Sequence, residues 1–153
     1  MALVRVKAFL RIIREHEAKD FKEPYKALRY INKQHVMFDG FNTHPYADEQ
    51  IDKPAGAYQI KWATWKDVTR KLTGWPQDFT PETQDRIALY LLQRRPSKDM
   101  PHPRRSAFGY IMEGKVEDAV NQTGLPDEWS FLPGGKGQQI TMSELKERFE
   151  KYV

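Results

Sequence analysis

The most restrictive feature of this chain is the apolar stripe near its start. Over residues 3–18, Val6, Phe9, Leu10 and Ile13 recur at three- and four-residue spacing, with Arg5, Lys7, Arg11 and Arg14 mostly on the opposite side. A helix of this kind has to bury one face, so the remainder of the chain must supply a core for it. Side chains four apart share a helix face, and one further turn beyond Ile13 lands on Glu17. A carboxylate therefore emerges where the buried stripe meets the surface. Partial desolvation there disfavours the charged form and raises the pKa, as a general acid working near neutral pH requires. A glutamate at a helix end is also an ordinary solvated residue, and spacing by itself leaves both readings open.

The rest of the chain supplies that core mainly with helices. Residues 20–59 lack sustained helical periodicity and hold turn formers at Pro24, Asp39-Gly40, Asn42 and Pro45, which predicts short strands or hairpins. Helical character returns over 60–72, with Ile60, Trp65, Val68 and Leu72 facing inward and Gly74 as a stop. Thr80 caps the next helix and Pro81 suits its first position. Ile87, Ala88, Leu91 and Leu92 form its inner face until Pro96 ends it. Phe108, Ile111 and Met112 predict a helix over 105–113, and a short one follows over 116–123 before Gly124. Thr141 with Glu144 fits a capping box for the last helix, with Leu145 and Phe149 inward. The expectation is a single α+β domain over 1–153, mainly helical, with a small irregular β lobe. A chain of 153 residues is long enough to bury one proper core.

Composition narrows the chemistry. Without cysteine there is no disulfide framework and no thiolate metal site. His16, His35, His44 and His102 show no ligand spacing, so neither a metal nor a cofactor is expected. The apolar start Ala2-Leu3-Val4 is interrupted by Arg5 and Lys7, unlike a secretory signal, and no run approaches a membrane span, so stable membrane insertion is not expected. The balance of 25 Lys plus Arg against 21 Asp plus Glu gives +4, a modest excess that favours polyanions without naming one. The basic pairs Arg94-Arg95 and Arg104-Arg105 flank Pro96, Pro101 and Pro103 and read as an exposed loop between helices. Nucleic acid is not an expected partner, because zinc-finger spacing, RNA-binding-sheet patterns and a helix-turn-helix are all missing.

An ordered set of landmarks points further. Ala8-Phe9-Leu10 leading to Glu17, His44-Pro45, Ala55-Gly56-Ala57-Tyr58-Gln59, Phe79-Thr80-Pro81 with Gln84-Asp85, Trp129, Leu132-Pro133-Gly134-Gly135 and Gly137-Gln138 resemble the bacteriophage lambda endolysin family from about residue 7 to residue 150. That family consists of peptidoglycan lytic transglycosylases with a lysozyme-like fold, in which a cleft lies between a small lobe and a helical body. The resemblance implies that Glu17 is the catalytic acid/base and that segments 45–55 and 133–139 form two lips over the cleft. The glycines at 134, 135 and 137 would make the second lip mobile. The sequence departs from the family at Ala18, where a glycine is usual, and at Ala57, where the family has a Gly-Arg-Tyr-Gln run. It also lacks the family's aromatic residue after Leu-Pro-Gly, having Gly134-Gly135-Lys136-Gly137-Gln138 instead, which puts substrate contacts from that loop in doubt.

The chemistry expected of such a site needs few groups. An acid protonates the leaving glycosidic oxygen as oxocarbenium character develops; ordinary glycosidases add a second carboxylate roughly 5 Å away for retention or 6.5–9.5 Å for inversion. A transglycosylase omits it, because the same glutamate then takes the proton of the muramic acid 6-hydroxyl and a 1,6-anhydro product forms. Asp20 and Asp39 keep a hydrolytic muramidase open; each is otherwise a helix exit or a turn residue. Tyr58 and Gln59 are candidates to bind sugar hydroxyls and N-acetyl groups, with Gly56 admitting close backbone approach; the alternative is a Tyr and a Gln bonded within the fold. His44 is a loop-positioning or glycan-contacting residue, Asp39 a further contact, and Gln138 belongs to the second lip. Trp62 and Trp75 offer stacking faces, whereas Trp65 and Trp129 read as core. The resemblance also implies a monomer made in the host cytoplasm that reaches peptidoglycan once a separate holin permeabilises the membrane. The rival from another class is a non-catalytic glycan-binding virion module.

Overall fold

The computed structural model describes the whole chain except Met1, Thr73, His102 and Gln138. Its helices are α1 (Ala2–Glu17), α2 (Trp62–Lys71), α3 (Pro81–Gln93), α4 (Ala107–Met112), α5 (Val116–Asn121) and α6 (Met142–Tyr152). Two antiparallel ladders precede α2: β1 (Ala27–Ile31) with β2 (Gln34–Met37), and β3 (Pro54–Ala55) with β4 (Ile60–Lys61). The chain divides into two compact units, residues 14–88 and residues 1–13 with 89–153, whose boundaries fall inside α1 and α3. Among the described residues no helix is long and apolar enough to cross a membrane.

The unit made of 1–13 and 89–153 is helical and apolar inside. Its core takes Val6, Phe9, Leu10 and Ile13 from α1, as the stripe predicts, together with Ala8 and Ile12. The buried face is thus wider than a single stripe. To these the chain adds Leu91, Leu92, Ala107, Tyr110, Ile111, Val116, Ala119, Val120, Leu125, Trp129, Leu132, Leu145 and Phe149. The inner face of α4 is Ala107, Tyr110 and Ile111, whereas Phe108 and Met112 are half-buried. Tyr110 can face inward because its hydroxyl is bonded to Ser97 Oγ at 2.7 Å. Thr141 caps α6 by accepting from the Glu144 N–H. Three of the four arginines in the basic pairs have local counterions: Arg94 and Arg95 contact Glu128 at 2.7 and 3.1 Å, and Arg105 contacts Glu113 at 3.3 Å.

The unit made of 14–88 is built around polar bonds as much as around apolar packing. The β1–β2 hairpin turns at Asn32-Lys33, both with positive φ (52° and 61°), the pattern of a type I′ turn. Asp39-Gly40 lies beyond the second strand instead. Phe79 heads an aromatic cluster with Phe38 (5.8 Å between ring centres) and His44 (4.7 Å), and Trp65 donates its indole N–H to the Asp78 carbonyl. Thr80 accepts from the Thr83 N–H and so caps α3.

The run Gly56-Ala57-Tyr58-Gln59 is the turn joining β3 to β4. Gly56 stands at φ +82°, and a Cβ placed there would lie 2.3 Å from Gln84 Oε1. That oxygen accepts the Ala57 N–H at 2.9 Å, so the missing side chain is what lets α3 approach the turn.

Two substitutions separate this contact from backbone freedom alone. Gly56→Ala is expected to destabilise the protein by about 3 kcal/mol, through the left-handed backbone and the collision with Gln84 together. Gly40→Ala, at φ +72° with open space around it, should cost only about 1–2 kcal/mol. Equilibrium urea unfolding measures both, and equal costs would remove the role assigned to Gln84.

Candidate active site at the end of the first helix

Glu17 is the last residue of α1. Glu17 is half-buried, and Ala18 directly after it is buried. Burial pushes its pKa up to about 7. Among the described residues it makes no hydrogen bond and no ion pair. The C-terminal end of the helix dipole disfavours a carboxylate too, which acts in the same direction. A carboxyl in this state is divided between its protonated and charged forms near neutral pH, and among the described residues it has no hydrogen-bond or ion-pair partner.

One turn before Glu17, Arg14 is committed elsewhere. Its Nη1 donates to the Tyr58 hydroxyl oxygen at 2.8 Å, and that hydroxyl donates to Asp85 Oδ1 at 2.6 Å. The Tyr25 hydroxyl donates to the same Asp85 oxygen at 2.8 Å. Burial weighs against the Arg14 charge, but Tyr58, Tyr25 and Asp85 outweigh it and raise its pKa. Both phenols are pushed up, first by burial and then by their bonds to Asp85.

The other candidates are placed as follows. Tyr58 is fully buried and its hydroxyl is used inside the unit, in the bonds to Arg14 and Asp85. Gln59 is half-buried at φ 49°, and its amide donates to the Gly56 carbonyl at 3.0 Å. Gly56 meets Gln84 as described. His44 is fully buried: Nε2 bonds the Ile60 carbonyl at 2.8 Å and Nδ1 accepts the Tyr46 N–H at 3.2 Å. Burial lowers its pKa to about 4, against the opposing pull of the Ile60 bond and Asp52, so it is neutral and fixed. Asp39 is exposed, and Asp20 is exposed at φ 63° just beyond α1. Gln138 lies outside the described residues. Trp65 and Trp129 are buried, whereas Trp62 and Trp75 are half-buried. Among the described residues no cluster of His, Asp or Glu has metal-binding geometry.

The two expected lips are each tied down locally. In segment 45–55, Asp52 Oδ1 accepts the Ala63 N–H in the first turn of α2, and the Lys53 carbonyl accepts the Trp62 N–H. In the glycine-rich loop, a Cβ at Gly135 would lie 2.1 Å from the Ser130 carbonyl oxygen, and one at Gly137 2.6 Å from Ser130 Oγ. Gln139 bonds both the Gly134 N–H and the Gly135 carbonyl. Close packing against Ser130 is therefore what Gly135 and Gly137 serve here.

In the sequence Gln84-Asp85 belong only to the set of landmarks, and nothing there marks the bonds they make. The available signal was polarity on the first turn of α3, where a capping Thr is followed by Thr83, Gln84 and Asp85 before the apolar face begins.

A family model described as Endolysin matches residues 7–153. The endolysin of Escherichia phage P2 is 27% identical over 114 residues, which cover 67% of this chain and 61% of that protein. The solved structure of bacteriophage lambda lysozyme complexed with a chitohexasaccharide superposes with a TM-score of 0.72 at 23% identity, covering 97% of this chain and 94% of the other. A second lambda lysozyme structure gives a TM-score of 0.70 at 20% identity, with the same coverage. The fold is thus lysozyme-like, of the mixed α+β kind that the sequence predicts.

The raised pKa of Glu17 has a stability consequence with a definite sign. The unfolded chain releases this proton near pH 4.5 and the folded chain near 7, so stability falls as pH rises between those values and stays reduced above them. Glu17→Gln removes the charge and keeps the shape. It should raise stability at pH 8 by roughly 1–2 kcal/mol, discounted for the solvent that reaches the carboxyl, and by almost nothing at pH 4. Thermal unfolding at the two pH values checks this, and a destabilised variant at pH 8 would contradict the burial argument.

Proposed function

The chain belongs to the endolysin family, and from that premise we propose that it cleaves peptidoglycan glycan strands by lytic transglycosylation with Glu17 as the acid. The observation that carries this reading is the unpartnered carboxyl of Glu17, its pKa near 7, at the end of α1. A structure of the same fold is a complex with a chitohexasaccharide, which supports a β-1,4-linked amino-sugar chain as the substrate class.

The Glu17 carboxyl gives its proton to the oxygen joining N-acetylmuramic acid to N-acetylglucosamine, and the bond from that oxygen to the anomeric carbon breaks. The carboxylate left behind takes the proton of the muramic acid 6-hydroxyl, whose oxygen bonds the anomeric carbon. The product is a 1,6-anhydro sugar, no water is consumed, and Glu17 is protonated again. A group that must first give and then take a proton works best with a pKa close to the working pH. No cofactor takes part. The family setting implies a monomer that is made in the host cytoplasm and reaches the wall after a separate holin permeabilises the membrane.

Mass spectrometry of muropeptides released from purified peptidoglycan tests the product. Fragments lighter by one water than ordinary reducing ends are expected. Reducing ends would mean hydrolysis and would turn attention to Asp20 and Asp39 as the second carboxylate. Glu17→Gln should lower the lysis rate by a factor of about 10²–10⁴. Undiminished lysis would remove Glu17 from the chemistry, and a wild-type protein that binds walls without cutting them would favour a binding module.

The pH profile provides a further check. The wild-type rate should fall about tenfold per pH unit above about 7, as Glu17 loses its proton. A profile flat to pH 9 would contradict the assignment.

A further inference from the structure

Arg14 and Glu17 are three residues apart on α1, a spacing at which helix side chains are neighbours and opposite charges attract. They nonetheless do not pair. The guanidinium is held by the Tyr58 hydroxyl, which in turn is held by Asp85. We propose that Asp85, acting through the Tyr58 hydroxyl, is a positioning residue that keeps the Arg14 guanidinium engaged and off the Glu17 carboxyl, leaving the acid without a counterion. This inference rests on the reading of Glu17 as the acid.

Three observations carry it. The links of 2.8 and 2.6 Å form a continuous chain from cation to anion through the hydroxyl of a fully buried residue. Tyr25 donates to the same Asp85 oxygen, so the carboxylate is fixed from two sides. The groups that act on the Arg14 charge are Tyr58, Tyr25 and Asp85, and Glu17 is not among them. The ionisable groups that other elements bring to Arg14 are Tyr25, Tyr58 and Asp85. Those along its own stretch are Arg14, Glu15, His16, Lys19 and Asp20, of which Lys19 and Asp20 are exposed and Glu15 and His16 have interactions of their own. None of these forms an ion pair with Glu17 among the described residues, and burial alone accounts for the rise in its pKa.

A carboxylate within about 4–6 Å of an opposite charge drops by roughly 1–3 pKa units. An Arg14 set loose beside Glu17 would therefore favour the carboxylate, which gives up its proton to solvent at neutral pH. This failure differs from a loss of structure. A structural defect lowers the rate at every pH, whereas a freed Arg14 lowers it only above the shifted pKa.

The test follows the Glu17 carboxyl by ¹³C NMR titration in the intact protein, alongside the pH profile of lysis. Asp85→Asn and Tyr58→Phe should each move the Glu17 midpoint and the alkaline limb down together by about one unit or more, with the rate near pH 5 retained. Adding Arg14→Gln to either variant should bring both back. Tyr58→Phe removes a single oxygen and carries the test if Asp85→Asn does not fold. An unmoved midpoint in a folded variant would overturn the proposal, as would a shift that persists after Arg14→Gln. Failure of the underlying reading is distinct, because Glu17→Gln would then leave lysis intact whatever the titrations show.

Discussion

The carboxamide of Gln84 holds the unit of residues 14–88 together. It is fully buried, and each end is used: Oε1 accepts the Ala57 N–H, and Nε2 donates to the carbonyls of Phe79 at 2.8 Å and Tyr25 at 3.0 Å. Three segments distant in sequence thereby meet on the first turn of α3. Such bonds contribute about 1 kcal/mol each when made, but losing them strands the buried Ala57 N–H and Phe79 carbonyl at about 1–3 kcal/mol apiece. The bare backbone of Gly56 admits the carboxamide, the turn it fixes sends the Tyr58 ring inward, and the Tyr58 hydroxyl then finds Asp85, the next residue of the same helix. The placement of Arg14 is the last link of that sequence.

A raised carboxyl pKa is a cost to the fold, and the position of Glu17 shows how the cost is borne. A buried negative charge at a helix C-terminus is opposed by desolvation and by the dipole alike. The basic residues of the last turn of α1, Arg14 and His16, would ordinarily relieve it. With Arg14 drawn to Tyr58, that relief is withheld. The compensation lies earlier in the same helix, where Phe9, Ile12 and Ile13 are completely removed from water. At roughly 1.5–3 kcal/mol for each large apolar side chain buried, the helix stays docked despite its unfavourable end.

What was legible in the sequence was whatever repeats with a period. The stripe of α1, the capped start of α3 at Thr80-Pro81 and the Thr141 cap of α6 each announce themselves within a few residues, and the structure has them there. The hairpin turn at Asn32-Lys33 was not legible, because a lysine gives no warning of a left-handed backbone. Apolarity alone favours Phe108 as the inner residue of α4, whereas Tyr110 takes that position because Ser97 supplies a partner for its hydroxyl. The site divides along the same line. Glu17 follows from the continuation of a helical face, whereas the links from Arg14 to Tyr58 to Asp85 span 44 and 27 positions of sequence and obey no local rule. Tyr58 looks like a binding residue from sequence because a phenol can bond sugar hydroxyls, whereas here its hydroxyl is used within the fold.

The proposed route asks for one carboxyl that changes role during a turnover. A hydrolase can divide the work, giving the acid a high pKa and the base a low one, and then needs a second carboxylate held at a defined distance. The two candidate aspartates are poorly prepared for that. Asp20 follows the helix in a left-handed exposed position, Asp39 is exposed beyond the hairpin, and neither has a hydrogen bond or ion pair among the described residues to fix its orientation. A lone group near pKa 7 has no such need, since the driving forces for giving and for taking the proton are then comparable at neutral pH. Its demand falls on the surroundings instead. They must exclude any cation that would favour the charged form, and the cation nearest in sequence on that helix face is the one that Tyr58 and Asp85 detain.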